Sequence, residues 1–322
     1  TSHETSRGRL EQRMQTAGGA LKGYALGLVG MLLFSLSLPA TRLAVPELGP
    51  ELVTAARVGL AGFLAACYLA IARKRPPPRR HWPDLGLVVA GVVIGFPLFS
   101  ALAMREVEAS HGGVVLAIMP LMTVVTGALV AGERPSARFW FAAIGGTSVV
   151  LAFVLYRSGG RLVVADLYLL AAGLSAAFGY AGGGRIATRL PALDVIAWAL
   201  AATLLPAALL TIVYWPAEPL DVSAQAWWAV VYAAAFPQFI AFFFWYSGLA
   251  SGGIGKVGQL QLLQVYCTLG FSALLLGERT DLVTWLAALL TMVFVWLARQ
   301  APVDRVRGTG AHVKHQRTSG PD

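Results

Sequence analysis

Charge is what this sequence has least of. Asp, Glu, Lys and Arg make up 13% of its 322 residues, about half the share that a soluble domain needs to cover its surface. Acidic side chains number only 16, and none lies inside a long apolar run away from its ends. Five histidines and two cysteines complete a small stock of reactive groups. An intramembrane enzyme would need paired buried carboxylates, a Ser/His couple or a His-rich metal set. The sequence offers none of these, so neither a catalytic residue nor a cofactor is expected. Cys67 and Cys267 both fall in apolar runs, where they read as small buried hydrophobes, not as a disulfide framework. No Cys/His spacing points to a metal.

What the chain has instead is apolar length. Hydrophobic residues make up 57% of it, and the mean hydropathy is +0.67. A helix rising about 1.5 Å per residue needs about 20 apolar residues to cross a hydrocarbon core of about 30 Å. Ten runs qualify: 22–41, 51–72, 84–104, 110–131, 137–156, 164–184, 193–215, 226–247, 254–276 and 281–299. Proline, glycine or charge punctuates each gap. The clearest is Arg73-Lys74-Arg75-Pro76-Pro77-Pro78-Arg79-Arg80, a stiff basic stretch that a helix cannot traverse. The run from Leu21 is too long for a cleavable signal and has no small-residue cleavage site behind it.

The net charge of +9 sits in tails and short loops, not on one amphipathic face, which argues against nucleic acid as a partner. It sets orientation instead. With the N-terminus inside, nineteen Lys and Arg fall on the inner side and five (Arg42, Arg105, Arg157, Arg161, Arg279) on the outer, leaving Arg57 within the second span. Both termini are therefore expected in the cytoplasm of a bacterial cell. The expected partners are the bilayer and a small-molecule substrate, for a protein able to act as a monomer.

The chain also matches itself. At an offset of 145 residues, Ala128-Leu129 falls on Ala273-Leu274, Gly132-Glu133-Arg134 on Gly277-Glu278-Arg279, Thr123 on Thr268 and Gly113 on Gly258. Phe96-Pro97 recurs as Phe236-Pro237 at a slightly different offset. The implied organisation is a tail at 1–21, a five-helix repeat at 22–156, a second at 164–299 and a tail at 300–322. Five is odd, so the second repeat enters the membrane upside down. Inverted repeats are characteristic of secondary transporters that rock about a midplane site. The fold class expected is thus all-α, with ten membrane helices in two inverted halves.

The spans closing in Leu-Val-Ala-Gly-Glu-Arg (129–134) and Leu-Leu-Gly-Glu-Arg (275–279), with Pro50-Glu51-Leu52-Val53-Thr54-Ala55-Ala56-Arg57 opening the second, carry a resemblance. The chain resembles the drug/metabolite transporter superfamily, specifically its EamA-type ten-helix exporters, and among them looks most like the YddG-type exporters of aromatic and other neutral amino acids. It departs from the pattern at Phe34-Ser35-Leu36-Ser37-Leu38-Pro39, where many relatives carry Trp-Gly. It departs again at Val265, the repeat equivalent of Pro120. The resemblance implies export of a small neutral solute by alternating access. Lipophilic cations are the second substrate class it allows, and a passive channel the second mechanism.

Polar residues inside a span are costly and face the bundle interior. Gln261, Gln264 and Thr268 fall on one face of the ninth span, near mid-membrane, where amides suit a zwitterion's ammonium and carboxylate. Gln238 follows Pro237 in the eighth and shares a face with Phe242 and Trp245, while Pro237 and Pro97 free backbone carbonyls that tend to line a cavity. Tyr180, Ser175 and Ser100 are further candidates. Arg57 either meets a substrate carboxylate or ties carbonyls between helices, and the resemblance favours the structural or gating role. His111 and Lys256 hold equivalent repeat positions near opposite faces. Glu51, Glu106, Glu108, Glu133, Asp166, Glu278 and Asp281 lie at span ends within reach of water, so transport down the substrate's own gradient, without obligatory proton exchange, is the expected mode. Glycines four apart, as in Gly23/Gly27, Gly91/Gly95, Gly179/Gly183 and Gly248/Gly252, mark close helix contacts.

Overall fold

The computed structural model describes residues 21–300 apart from 132, 158, 162, 188, 253–259 and 261–262, and then residues 303–305. Helix dominates: α1 (21–35), α2 (Ser37–Ile71), α3 (Trp82–Val88), α4 (Phe96–Met104), α5 (Ala109–Leu116), α6 (Met119–Ala131), α7 (Ala137–Arg157), α8 (Val164–Ala187), α9 (Ala192–Val213), α10 (Ala224–Ala235), α11 (Ala241–Gly252), α12 (Gln264–Leu276) and α13 (Leu282–Gln300). One antiparallel pairing of two three-residue strands, Glu133–Pro135 with Val303–Arg305, is the only sheet among the described residues.

Six helical stretches are long and apolar enough to cross a membrane, and two shorter apolar helices, Gln264–Leu276 and Leu282–Ala298, accompany them. Length alone does not fix the number of crossings. The stretch Leu21–Ile71 is one of the six, yet its backbone turns at Gly49, at φ +73°. That turn corrects the first expected boundary: the helix passes 41 and runs to Leu48, with Pro46 inside it and Pro50 starting the next segment. Arg42 is therefore not a loop charge. Its guanidinium donates to the carbonyl of Met104, at the end of α4.

The outward faces are apolar. Leu205, Leu209, Ile212 and Val213 of α9 and Leu286, Leu289 and Leu290 of α13 are all exposed. Water would penalise such surface, and lipid does not. Burial instead follows small residues. Gly91 of the third span lies so near α8 that an added Cβ would stand 2.2 Å from Ser175 O, and one at Gly248 of α11 would stand 2.6 Å from Gly27 N in α1.

These close approaches have a symmetry. Gly59 in α2 meets Ala207 in α9, while Gly62 meets Leu204. Positions 59 and 204, like 62 and 207, are 145 apart, so the two contacts exchange under the offset read from the sequence. Gly113 of α5 meets Thr268 of α12, its equivalent span, and Gly145 of α7 meets Phe294 of α13, again its equivalent. The α3–α4 segment packs on α8, and α11 packs on α1. The α3–α4 segment and α8 run antiparallel: Asp84 meets Arg185 at one end of the pair, and Phe99 meets Tyr168 at the other.

Polar contacts close the ends. Glu278, from the repeated Gly-Glu-Arg, accepts from the backbone N–H groups of Ala109 and Ser110 at 2.8 and 2.9 Å. A carboxylate there answers the unpaired donors and the partial positive charge of a helix start. The motif thus ties the end of α12 to the beginning of α5. Arg157 reaches Glu108 at 3.1 Å and Asp281 at 3.6 Å nearby.

Candidate substrate cavity

Proline chemistry shapes the centre. Val89–Gly95 is a π-helical turn in which Phe96 N–H bonds back to Gly91 O. Pro97 comes next. With no N–H it can serve neither Val92 O nor Val93 O, the carbonyls five and four residues behind it. The side chain of Gln238 takes that place, its Nε2 lying 3.4 Å from each carbonyl. Gln238 itself sits in a second π-helical turn, Phe236–Ile240, built on the recurrent Phe-Pro pair. Pro39 acts alike in α2. It leaves Ser35 O without its helical donor, and the hydroxyl of Thr268 donates to it at 3.0 Å. Pro120, where α5 and α6 break at 117–118, withholds the N–H that Leu116 O would accept in an unbroken helix.

Two adjacent cavities lie among these breaks. One, of about 50 Å³, is lined by Phe34, Ser37, Arg57, Val92, Phe96, Met119, Ala176, Tyr180, Pro237, Gln238, Phe242 and Gln264. The other, about 60 Å³, shares Phe34, Ser37, Phe96, Met119 and Gln264 with it. Leu38, Gly113, Leu116, Ala117, Pro120, Val265, Thr268 and Met292 complete its wall. The walls are aromatic and aliphatic, set with two amides, one guanidinium and a few hydroxyls. Arg57 is 3% exposed, and its Nε donates to Gln238 Oε1 at 2.9 Å. Phe34 and Phe242 meet edge to face, their centroids 5.1 Å apart.

Of the residues expected from sequence, Arg57, Tyr180, Pro237, Gln238, Gln264 and Thr268 line these cavities. Trp245 does not: its backbone passes close to Gly30, and its ring meets that of Phe34. Ser100 is buried with its hydroxyl on Pro97 O at 3.0 Å, spent within its own helix. Pro97 shapes the wall without lining it, and Ser175 packs against Gly95. Gln261 and Lys256 lie outside the described residues.

His111, near the start of α5, is 6% exposed, packs on Phe153 and brings Nε2 to 2.7 Å from Asp166 Oδ1. Asp166, expected within reach of water, is 2% exposed, and it also accepts from Val163 N–H at the start of α8. Sequence reasoning missed Phe34, Ser37, Phe96 and Met119 as well. The breaking residues beside them, Pro39, Pro97 and Pro120, were the available signal.

A helical bundle with broken helices, small-residue contacts and a cavity among the breaks is the build of a solute carrier. This chain belongs to the EamA-like transporter family, which it matches twice, over residues 21–155 and 163–300. It is therefore a multi-pass membrane protein of a transporter family. It is also 40% identical over 257 residues, 80% of this chain and 90% of the other, to the uncharacterized transporter YdeK of Bacillus subtilis (strain 168). A protein of known crystal structure shares the fold, at TM-score 0.56 and 25% identity, over 86% of this chain and 96% of that one.

Proposed function

We propose that this chain is a ten-span exporter of the bacterial inner membrane that releases small neutral solutes, aromatic and other neutral amino acids first among them. The spans are two inverted five-helix halves with both termini cytoplasmic, and transport proceeds by alternating access. One observation carries the reading: each half supplies one wall of the smaller cavity. Phe34, Arg57, Phe96 and Met119 come from the first half, and Tyr180, Pro237, Gln238, Phe242 and Gln264 from the second. A site between repeats is exposed to alternate faces when one repeat rocks against the other. Aromatic walls with a few fixed polar groups suit a small solute with an apolar side chain.

Export of lipophilic cations is less well supported. Such a site calls for a carboxylate to replace the hydration of the cation. The described lining has none and carries Arg57 instead.

The purified chain in liposomes loaded with labelled phenylalanine should release it upon dilution, faster than empty-bilayer leakage and saturably. Linear, non-saturating flux would indicate a channel. Reporter fusions after residues 80, 187 and 322 should signal cytoplasm, and fusions after 48, 107, 159 and 219 periplasm. A periplasmic signal at 322 would break the inverted arrangement.

A further inference from the structure

Arg57 is a buried cation with no counter-ion among the described residues. Its guanidinium has one hydrogen-bond partner among them, the amide oxygen of Gln238, and that partner occupies Nε. No described carboxylate forms an ion pair with it. Its two Nη groups thus have no described hydrogen-bond partner, and the side chain borders the smaller cavity. A charge held at membrane depth is retained only where something answers it. A guanidinium offers a planar fork of parallel donors, which matches the two oxygens of a carboxylate.

We propose that Arg57 is the carboxylate anchor of the transport site, so that the solute is an amino acid or related carboxylate and not a carboxylate-free amine. The inference rests on the carrier reading above and names the chemistry of that same cavity. Gln238 is a positioning residue. It is 2% exposed, its Nε2 donates to Val92 O and Val93 O beside the Pro97 break, and its oxygen accepts from Nε, which leaves the two Nη groups for the solute. The solute's apolar part then faces Phe96 and Phe242. An ammonium, where present, meets the Gln264 amide oxygen on the wall that the two cavities share. The Phe-Pro pair of the first half thereby has a purpose in the second. It supplies the acceptors for the glutamine that binds the arginine.

The wild-type chain decides the matter without relying on a variant that must fold. Exchange of labelled phenylalanine across proteoliposomes is competed with unlabelled phenylalanine, 3-phenylpropionate, phenylalaninamide and phenethylamine. The first two should compete, and the two without a carboxylate should be at least about tenfold weaker, the worth of one good charge-assisted contact. Replacing chloride by sulfate should change nothing. Equal competition by the amide and the amine would overturn the anchor while leaving the carrier standing. Exchange that requires chloride and ignores the carboxylate would assign the fork to a resident halide and overturn it too. Should phenylalanine itself not be exchanged, the carrier reading fails and the anchor with it. In folded variants, Arg57→Gln should lose carboxylate selectivity. Gln238→Leu should raise KM for phenylalanine more than it lowers kcat, which a merely structural glutamine would not do.

Discussion

His111 and Asp166 meet at 2.7 Å inside the protein, joining α5 of one half to α8 of the other. Both side chains are buried. Removing one member of a buried pair strands the other, at about 3–5 kcal/mol, whereas removing both can be nearly neutral. Asp166→Leu and His111→Leu should each lower thermal stability in detergent strongly, and the double variant His111→Leu/Asp166→Leu should fall short of their sum. Additive losses would show that the pair is not coupled.

The glycines give a sharper contrast. An added Cβ at Gly91 would stand 2.2 Å from Ser175 O and 2.7 Å from Gly179 N, both backbone atoms that cannot turn aside. Gly184, near the end of α8, has nothing within 4 Å of such an atom. Overpacking a tight helix contact costs about 1–3 kcal/mol, while Gly→Ala in an open helical site gains up to about 1 kcal/mol. Gly91→Ala should therefore lower the melting temperature, and Gly184→Ala should leave it level or raise it. Equal effects would mean that the third span and α8 approach less closely than these distances.

Two ion pairs tie helices at the end that the charge pattern places in the cytoplasm. Lys74 Nζ lies 2.9 Å from Asp194 Oδ2, Tyr68 donates to Asp194 Oδ1 at 2.8 Å, and Arg185 pairs with Asp84. At the other end Glu47 accepts from the Ser223 backbone N–H and hydroxyl. The hydrogen bond to Asp194 holds Lys74 above the ordinary lysine value, and the Ser223 donors hold Glu47 below the ordinary glutamate value. A raised lysine contributes stability below its unfolded value and loses it as pH rises through the folded one. A lowered glutamate contributes above its unfolded value and loses it as pH falls. Hydrogen exchange should accordingly quicken around 68–74 and 192–196 in alkali, and around 45–48 and 223–226 in acid. Lys74→Met should give the first change near neutral pH. The same response at both ends would separate these contacts from the titrations.

Much of this architecture was legible because apolar length and the repeated Gly-Glu-Arg are local signals. Glu278 capping α5 explains why that motif stands at a helix end, and the 145-residue offset reappears as Gly59–Ala207 and Gly62–Leu204. The cavity was legible only in part. Helical phase placed Gln264 and Gln238 on inner faces, but phase holds only along an unbroken helix. The π-helical turns at Val89–Gly95 and Phe236–Ile240 rotate the helix beyond them. Trp245, seven residues after Gln238, falls outside the lining and sets its ring against Phe34, whereas Phe242 stays in the wall. Asp166 was misread for another reason: position in a span gives depth, whereas burial depends on which helix lies alongside.

Gln264 provides the last test, because it is the one amide among the described residues that borders both cavities. Thr268, one turn further on, borders only the larger, and its hydroxyl is already spent on Ser35 O. The two residues therefore separate solute binding from helix attachment. Gln264→Leu keeps the bulk and removes one or two hydrogen bonds to solute, at about 1 kcal/mol each. Phenylalanine exchange should fall about five- to thirtyfold with the melting temperature unchanged. Thr268→Val leaves Ser35 O without a donor, so it should lower stability by about 1–3 kcal/mol and leave the KM of the folded fraction where it was. Normal exchange by Gln264→Leu would make that amide a packing group, and a raised KM in Thr268→Val would place the hydroxyl in the site. Were both to hold, the polar face of α12 would serve the solute through Thr268 alone.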